Sequence, residues 1–377
     1  MNKKAILVLE NGLIFHGNSI GKNGLTTGEV VFNTSITGYQ EILSDPSYFN
    51  QIIVFTQPYI GNTGINTKDS ESDKIYAKGI ICNSICNNKN HYDDKMSLQK
   101  YILKNNIIAI SNIDTRKITR IIRKYGIQKG CIFTEKNSNY YNAHQKLKKK
   151  TNNNTQKNTF TIYSIDKNNL NTNYRKQKKN YFNVIVYDFG IKKNILNILY
   201  KKKCNLYIAH PHTNFKKIVY LFKKKYKKKI HGVFLSNGPG NPKNNKNIIK
   251  DIIKFEKNNI PIFGICLGHQ LIGMAYGSQI KKMKHGHHGS NHPVQDILQK
   301  KIIITAQNHN FNIKKKNLPE NIIITHKSLF DDSIQGISIK NKPVFGFQGH
   351  PESSPGPHDT LYLFDTFISN MKKYNNN

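Results

Sequence analysis

Acidic residues are scarce in this chain. Its 377 residues include 58 Lys or Arg but only 22 Asp or Glu, which gives a formal net charge of +36. Such an excess is typical of proteins with an anionic partner, either nucleic acid or a membrane surface. However, lysine occurs in blocks such as 148–150 and 223–225, interleaved with Asn and Ile, and no recognisable nucleic-acid-binding module accompanies them. We interpret the charge as compositional drift toward AT-rich codons and expect neither nucleic acid nor a membrane as partner.

Long apolar runs and cysteine-rich patterns are also lacking. No stretch approaches the length needed to cross a bilayer, and the apolar run at 5–9 is too short for a signal peptide. A chain of this length does not need a disulfide framework. The cysteines are odd in number and form no zinc-binding spacing. They stand at 82, 86, 131, 204 and 266. We therefore expect a soluble protein of the reducing cytoplasm.

The hydrophobic fraction is low at 37%, but 10% of the residues are aromatic, which is typical of a folded protein. The length suffices for two domains. Runs at 5–9, 29–33 and 51–56 resemble strands, and the apolar spacing at 97–105 and 115–124 is helical. These patterns predict a β-rich α/β domain over 1–145. We interpret the Lys/Asn-rich residues 146–180 as a polar linker that can include a frayed strand or helix.

Residues 181–377 predict a second α/β domain. A strand at 182–188 leads into a helical pattern, and 261–277 contains a strand, a tight turn and a helix. The segments 231–240 and 342–352 are strands that end in Gly- or Pro-marked loops. Strands that alternate with helices indicate a doubly wound, mainly parallel sheet, whose functional loops lie at the carboxyl ends of its strands.

Cys266 is the first candidate for chemistry. It lies between Gly264 and Gly268, where an apolar strand meets an apolar helix, and so matches a G-x-nucleophile-x-G elbow. This turn is too sharp for flanking side chains. It places the sulfur at a helix N-terminus, where amides and the helix dipole stabilise a thiolate. A lone cysteine is usually a small buried hydrophobe, and we keep that interpretation for the other four, which we expect to be inert.

His350 and Glu352 follow a predicted strand in the segment QGHPE. A cysteine nucleophile needs a base that takes its proton and returns it to the leaving group, and histidine titrates in the right pH range. A carboxylate two residues later can hold the imidazole in the required tautomer. Taken alone, the segment is also compatible with a loop histidine capped by a carboxylate. Together with the elbow, it predicts a Cys-His-Glu triad.

Two further segments are less specific. The loop of Gly238 and Gly240 in SNGPG can direct backbone amides at an oxyanion, with the amide of Leu267 as a second donor. On its own it is an ordinary Pro-Gly turn. A histidine cluster raises the question of a metal, but no carboxylate or cysteine joins it. Its members stand at 285, 287, 288 and 292. The glycines between them predict a loop, and we expect no metal.

The motifs FGICLGHQ, QGHPE and SNGPG resemble those of the class I, or triad, glutamine amidotransferases. That class alone leaves open which acceptor receives the ammonia. Longer segments resemble the small-chain family of carbamoyl-phosphate synthase, and this resemblance indicates the acceptor and the pathway. The match weakens only in the linker and at 211–230. These segments are GEVVFNTSITGYQEILSDPSYFNQIIV, SNIDTRKITR, KMKHGHHGSNHPV, ITAQNHNF, THKSLFDDSIQGI and QGHPESSPGPHD.

The resemblance implies an activity and partners. The chain would hydrolyse L-glutamine through a thioester on Cys266, with His350 as base and Glu352 as its partner. Ammonia would pass through a tunnel to a large subunit that makes carbamoyl phosphate for arginine and pyrimidine biosynthesis. ATP, Mg²⁺ and bicarbonate are expected on that subunit, and no cofactor in this chain. Residues 1–145 would contribute to the partner interface and to the glutamine site. The glutamine-binding residues implied are Ser47, Gly238, Gly240, Leu267, Gln270, Asn308, Asn310 and Phe311.

The chain departs from the family pattern at three positions outside the triad. Asn310 and Ser290 stand where the family usually has glycine, and Asn241 stands where it usually has aspartate. The change at 310 bears on a backbone contact to the substrate. Asparagine tolerates the left-handed region better than most residues, which softens this concern.

Two other functions remain open. A stand-alone γ-glutamyl hydrolase uses the same Cys-His-Glu geometry without a partner, but it should lack the family-specific first domain. A basic binding protein on a decayed amidotransferase scaffold would account for the charge, but an intact triad argues against decay.

Overall fold

A computed structural model of the chain describes residues 3–86, 91, 93–134, 147, 170–172, 174–354 and 356–375. The chain divides into two compact units. The first comprises Met1–Asn154 and Lys284–Ser290, and the second comprises Thr155–Met283 and Asn291–Asn377. The predicted boundary at 145 and most of the predicted linker 146–180 lie outside the described residues, so these domain limits stay predictions.

The described part of the first unit contains a closed β-barrel. The strands described in this unit, in the barrel and outside it, are β1 (Lys4–Leu9), β2 (Ile14–Ser19), β3 (Leu25–Asn33), β4 (Gln51–Phe55), β5 (Tyr59–Ile60), β6 (Gly79–Ile81), β7 (Ser84–Ile85), β8 (Ile108–Ser111) and β9 (Gln128–Phe133). The barrel order is β1-β2-β8-β6-β4-β3-β9, while β5 and β7 pair separately. Three barrel pairings are parallel: β3 with β4, β4 with β6, and β6 with β8. The other barrel pairings are antiparallel.

Helices accompany this barrel. They are α1 (Tyr39–Ser44), α2 (Leu98–Lys104) and α3 (Thr115–Tyr125), with a 3-10 turn at Pro46–Tyr48. Of these, α2 and α3 lie where the apolar spacing predicts them, and α1 was not predicted. α3 illustrates the local causes. The Asp114 side chain accepts the Lys117 amide and caps the helix, and Gly126 ends it at φ 91°. Ile118 and Ile122 lie one turn apart and are fully buried.

The second unit is built on a nine-stranded sheet. From one edge of this sheet to the other, the strands follow the order β11-β10-β12-β13-β18-β17-β16-β14-β15. These strands are β10 (Phe182–Tyr187), β11 (Cys204–Ala209), β12 (Gly232–Leu235), β13 (Ile262–Ile265), β14 (Ile280–Asp296), β15 (Lys301–Ile313), β16 (Ile322–Ser328), β17 (Ile334–Ile339) and β18 (Val344–Phe347). The pairings from β11 to β18 are parallel, and those from β18 through β17 and β16 to β14 are antiparallel. The parallel half is the doubly wound sheet that the sequence predicts.

Both faces of the parallel half are covered. Val184 and Val186 pack in one core cluster, whereas Ile185 and Tyr187 pack in another, because neighbouring strand residues point to opposite faces. The helices of this unit are α4 (Lys193–Lys201), α5 (Phe215–Tyr220), α6 (Lys246–Lys257), α7 (Leu267–Ala275) and α8 (Tyr362–Asn375), with a π-helical turn at Leu221–Tyr226 and a 3-10 turn at Pro242–Asn245. This α/β architecture brings the carboxyl ends of β10, β12, β13 and β18 to one edge.

The predicted loop at the histidine cluster is wrong, because these residues lie within β14. Gly286 and Gly289 have positive φ values of 69° and 155°, so they bend the strand without ending it. The part of β14 at Lys284–Ser290 belongs to the first unit, and within that unit the Thr34 amide donates to the His288 carbonyl at 3.1 Å. The His285 ring stacks on Phe32. Several residues of this segment are buried in the strand. The glycines in this segment gave no sign of that burial.

Candidate active site

Cys266 lies between β13 and α7 in a backbone conformation that few residues adopt. Its φ is 52° and its ψ is −101°, so the turn is strained. A Cβ atom at Gly264 would lie 2.5 Å from the carbonyl carbon of Gly268, and one at Gly268 would lie 2.2 Å from the Leu235 carbonyl oxygen. Only glycine fits at either position, which is the physical reason for the elbow motif.

The Cys266 residue is buried, with 3% of its surface exposed. Its Sγ lies 3.6 Å from the Asn308 carbonyl oxygen, toward which the thiol donates, and 3.6 Å from the Gln348 side-chain nitrogen, which donates to the sulfur. The Gln270 side chain donates to Gln348 Oε1 at 3.0 Å and to the Phe311 carbonyl at 2.8 Å. Of the predicted glutamine-binding residues, Asn308 contacts the sulfur directly, and Gln270 links the Phe311 carbonyl to Gln348, which in turn contacts the sulfur. Gln348, which stands inside the QGHPE segment, was missed as a neighbour of the sulfur.

His350 and Glu352 form a buried pair in the loop after β18. The imidazole Nδ1 lies 2.7 Å from Glu352 Oε1, and the two side chains are 3% and 0% exposed. A carboxylate only accepts, so Nδ1 carries the proton and donates it. The other ring nitrogen, Nε2, makes no hydrogen bond of normal geometry to the described residues. The imidazole is thereby held in the tautomer that leaves Nε2 available as a base.

Lys192 completes a chain of charges that the sequence does not predict. Its Nζ lies 3.0 Å from Glu352 Oε1, and its side chain is only 7% exposed. Lys192 precedes α4 at the carboxyl end of β10, and its amide donates to the Asn237 side chain at 3.2 Å. The only signal in the sequence is its position just after a strand that ends at the same edge as the elbow.

The pKa values of the pair reflect these neighbours. Burial opposes the charged form of Glu352, but Lys192 and then His350 lower its pKa to about 2. Burial likewise disfavours the imidazolium of His350, but the Glu352 carboxylate and the Cys266 sulfur raise its pKa to about 10. His350 is therefore a strong base for the proton that leaves Cys266, and the Glu352 carboxylate stabilises the imidazolium that forms when Nε2 accepts it.

The SNGPG loop lies beside the elbow. The Gly268 amide donates to the Ser236 carbonyl at 3.1 Å. A Cβ at Gly238 would lie 2.1 Å from the Phe189 carbonyl oxygen, and Gly240 has a φ of 93°. Both glycines are thus required by the backbone. Leu267 is the first residue of α7, where an amide has no partner within the helix.

The remaining predicted positions have local structural explanations. Ser47 is buried in the first unit, where its amide donates to the Asp45 side chain at 2.8 Å. Its role toward glutamine stays a prediction. Asn310 lies in the extended strand β15, so no left-handed backbone has to be tolerated there. Asn241 caps the following 3-10 turn, and Ser290 Oγ lies 2.7 Å from Ser35 Oγ.

Of the other four cysteines, Cys86 is half-exposed, and Cys82, Cys131 and Cys204 are buried. Burial raises the pKa of Cys82 and of Cys204 to about 12, so neither is a nucleophile at neutral pH. Within the described ranges, no group of His, Cys, Asp and Glu side chains has a metal-binding arrangement. None of the helices in these ranges has the length and apolar character needed to span a membrane.

Comparison with known proteins extends over both units. A family model described as "Carbamoyl-phosphate synthase small chain, CPSase domain" matches residues 7–132, and one described as "Glutamine amidotransferase class-I" matches residues 185–370. The chain is 50% identical over 384 residues to the carbamoyl phosphate synthase small chain of Buchnera aphidicola subsp. Acyrthosiphon pisum, covering 98% of this chain and 96% of that relative.

More distant relatives give the same result. The small chain of Wigglesworthia glossinidia brevipalpis is 49% identical over 375 residues, which cover 98% of this chain and 97% of that one. The small chain of Escherichia coli strain K12 is 44% identical over 384 residues, which cover 99% of each. In each of these alignments the similarity spans nearly the full length of both this chain and the relative. It confirms the resemblance predicted from the motifs.

Proposed function

Since this chain belongs to the family of carbamoyl-phosphate synthase small chains, we propose that it hydrolyses L-glutamine and supplies the released ammonia to a large subunit. The observation that carries the proposal is the chain of contacts from Lys192 through Glu352 to His350, beside the strained elbow of Cys266. These groups provide a nucleophile, a base and the carboxylate that orients the base.

The first chemical step is attack by the sulfur on the side-chain amide carbon of glutamine. The Cys266 proton passes to His350 Nε2, which requires the thiol hydrogen to rotate away from Asn308. A new carbon–sulfur bond forms, and the amide oxygen becomes an oxyanion. We assign the donors to this oxyanion to the backbone amides of Leu267 and of the Gly238–Gly240 loop.

Ammonia then leaves and the thioester is hydrolysed. As the tetrahedral intermediate collapses, the carbon–nitrogen bond breaks and the leaving nitrogen takes the proton from His350. The raised pKa of His350 favours the imidazolium that this step needs. His350 next takes a proton from water, whose oxygen attacks the thioester carbon. The carbon–sulfur bond then breaks, glutamate departs, and the proton on His350 returns to the sulfur of Cys266.

The acceptor chemistry belongs to the partner. A small chain implies a large subunit, and we assign ATP, Mg²⁺ and bicarbonate to that subunit, which makes carbamoyl phosphate for arginine and pyrimidine biosynthesis. No cofactor takes part in the steps above. We assign the interface with the large subunit to the family-specific first domain. We retain the predicted glutamine-binding residues, which are Ser47, Gly238, Gly240, Leu267, Gln270, Asn308, Asn310 and Phe311. A cytoplasmic location follows from this metabolic role.

Replacement of Cys266 by Ser tests the proposal in the complex with the large subunit. Glutamine-dependent carbamoyl-phosphate synthesis should be abolished, while synthesis from added ammonia should continue at the wild-type rate. Cys86→Ser is the matched control, because that thiol lies in the first unit and should leave both activities intact. Glutamine-dependent activity that survives Cys266→Ser would refute the assignment.

The same experiment separates the rival functions. A stand-alone hydrolase would release ammonia from glutamine at the same rate with or without the large subunit. A basic binding protein would show no glutaminase activity and would be recovered with RNA in low-salt pull-downs instead of with the large subunit. The match of residues 7–132 to the small-chain family domain favours the synthase.

A further inference from the structure

Asn194 lies in the first turn of α4, two residues after Lys192. Its side-chain nitrogen donates to the Glu352 carbonyl oxygen at 2.6 Å and to Ser354 Oγ at 2.8 Å. A carbonyl oxygen can only accept, so the nitrogen of this amide and not its oxygen faces Glu352. Both N–H donors of one short side chain are therefore committed to the loop that carries the triad carboxylate.

This loop has few other fixed points. The His350 amide donates to the Ala306 carbonyl at 2.9 Å, and the Ser353 amide, at 3.2 Å, and the Ser353 hydroxyl both donate to the His350 carbonyl. Pro351 has no amide hydrogen to donate. The loop leaves β18 without entering a helix or strand, so side chains from elsewhere have to set its path.

The start of α4 contacts Glu352 at two points, and the two contacts differ in kind. Lys192 meets the carboxylate at 3.0 Å from the end of a four-carbon stem that can follow the carboxylate if it moves. Asn194 meets the backbone carbonyl through a short side chain anchored on a helix, which leaves little freedom. Lys192 therefore neutralises Glu352, whereas Asn194 fixes where its backbone lies.

We propose that Asn194 is a positioning residue for the triad. It holds the Glu352 backbone where the carboxylate meets His350 Nδ1 at 2.7 Å, and it thereby keeps His350 Nε2 aimed for proton transfer. This inference rests on the proposed function, since it concerns the same site. Because a displacement of about 1 Å in a catalytic group costs about 100-fold in rate, the role should appear in turnover. Asn194 is not one of the residues assigned to glutamine, so binding should change little.

The test compares four variants in the complex with the large subunit. Asn194→Ala removes the donor, and Asn194→Asp keeps the shape but replaces the donor by an acceptor. Ser354→Ala removes only the second contact. Asn197→Ala is the matched control on the next turn of α4, where Asn197 accepts from the Tyr174 hydroxyl at 2.8 Å and does not bond the triad loop.

We expect kcat for glutamine hydrolysis to fall by about 10- to 100-fold in Asn194→Ala and at least as far in Asn194→Asp. KM for glutamine should stay within about twofold, because no substrate contact is lost. Ser354→Ala should lose less than about threefold, and Asn197→Ala should match the wild type. Ammonia-dependent synthesis should be unchanged in all four. Thermal unfolding shows whether each variant is folded; if Asn194→Ala is not, Asn194→Asp decides.

Three results would overturn the inference. They are wild-type kcat in folded Asn194→Asp, a rise in KM with kcat unchanged, and an equal loss of kcat in Asn197→Ala. Cys266→Ser, measured in the same series, keeps this failure distinct from failure of the proposed function. If Cys266→Ser is inactive with glutamine and Asn194→Asp is fully active, only the positioning role is refuted. If Cys266→Ser remains active, the proposed function itself fails.

Discussion

Lys192 offers a direct way to perturb the charges of the triad. Its Nζ lies 3.0 Å from Glu352 Oε1, and the two side chains are 7% and 0% exposed. Lys192→Met keeps most of the volume of the side chain and removes its charge. The Glu352 carboxylate is then left in the interior with His350 as its only cationic neighbour among the described residues. A buried carboxylate that loses its counter-ion destabilises the fold.

The structure gives the size of this effect. The neighbours of Glu352 outweigh its burial and lower its pKa from 4.5 to about 2. A carboxyl group whose pKa is lower in the folded chain stabilises the fold above its unfolded pKa, and this stabilisation disappears as the pH falls from 4.5 to 2. The lowering corresponds to about 3 kcal/mol. Loss of one partner from a buried ion pair costs about 3–5 kcal/mol, so we expect Lys192→Met to lower the free energy of unfolding by about 3 kcal/mol.

Urea unfolding at pH 7.5 and at lower pH measures this difference. The matched control is Lys193→Met, because Lys193 follows Lys192 directly in the chain, is the first residue of α4 and is exposed. The gap between the two variants should be about 3 kcal/mol at pH 7.5 and should narrow as the pH falls below about 4.5. Equal stability of the two variants at pH 7.5 would contradict the reasoning, as would a gap that does not change with pH.

Three further outcomes are expected. Tyr362→Phe removes a 2.5 Å hydrogen bond to Asp296 and should lower the free energy of unfolding by about 2 kcal/mol in urea titrations; an unchanged midpoint would contradict this. Burial lowers the pKa of His326 to about 4, so the unfolded chain takes up a proton below about pH 6.5 that the folded chain does not. Stability should therefore decline between pH 6.5 and 4, by up to about 3 kcal/mol, and less so in His326→Gln, as thermal unfolding across that range would show. Gly268→Ala places a methyl group 2.2 Å from the Leu235 carbonyl oxygen and should reduce both soluble yield and glutaminase activity. Wild-type yield and activity in this variant would show that the turn can accommodate a side chain and would contradict the prediction.

The elbow is the part of the site that sequence predicts best, because its determinants are local. The strand, turn and helix of 261–277 appear as β13 and α7. The two glycines meet backbone atoms of the same turn and of the neighbouring strand β12, so their spacing alone reports the geometry. The His350–Glu352 pair is also local, since two residues separate its members.

Lys192 and Asn194 could not be predicted, because their contacts with Glu352 depend on strand order. β10 and β18 lie in the series β10-β12-β13-β18, which brings residues far apart in sequence to one edge of the sheet. Apolar periodicity identifies strands but not their neighbours. The charge of Lys192 also carried no information in a chain with 58 basic residues.

Closure of the barrel and the antiparallel half of the second sheet were missed for the same reason. Short strands such as β6 (Gly79–Ile81) become recognisable only through their partners. In β14 the glycines at 286 and 289 hide a strand from sequence analysis, and its residues 284–290 are held by backbone bonds to residues of the same unit that are distant in sequence. Pairing over long sequence distances, rather than local propensity, determines these elements.

The most direct test of the central claim is to find the acyl group on the enzyme. The complex is mixed with glutamine, quenched in acid during turnover, and digested for mass spectrometry. We expect the peptide that contains Cys266 to carry one glutamyl group in thioester linkage, and Glu352→Gln to alter how much of it accumulates. Release of ammonia without a glutamyl group on Cys266, or with the group on another cysteine, would contradict the account.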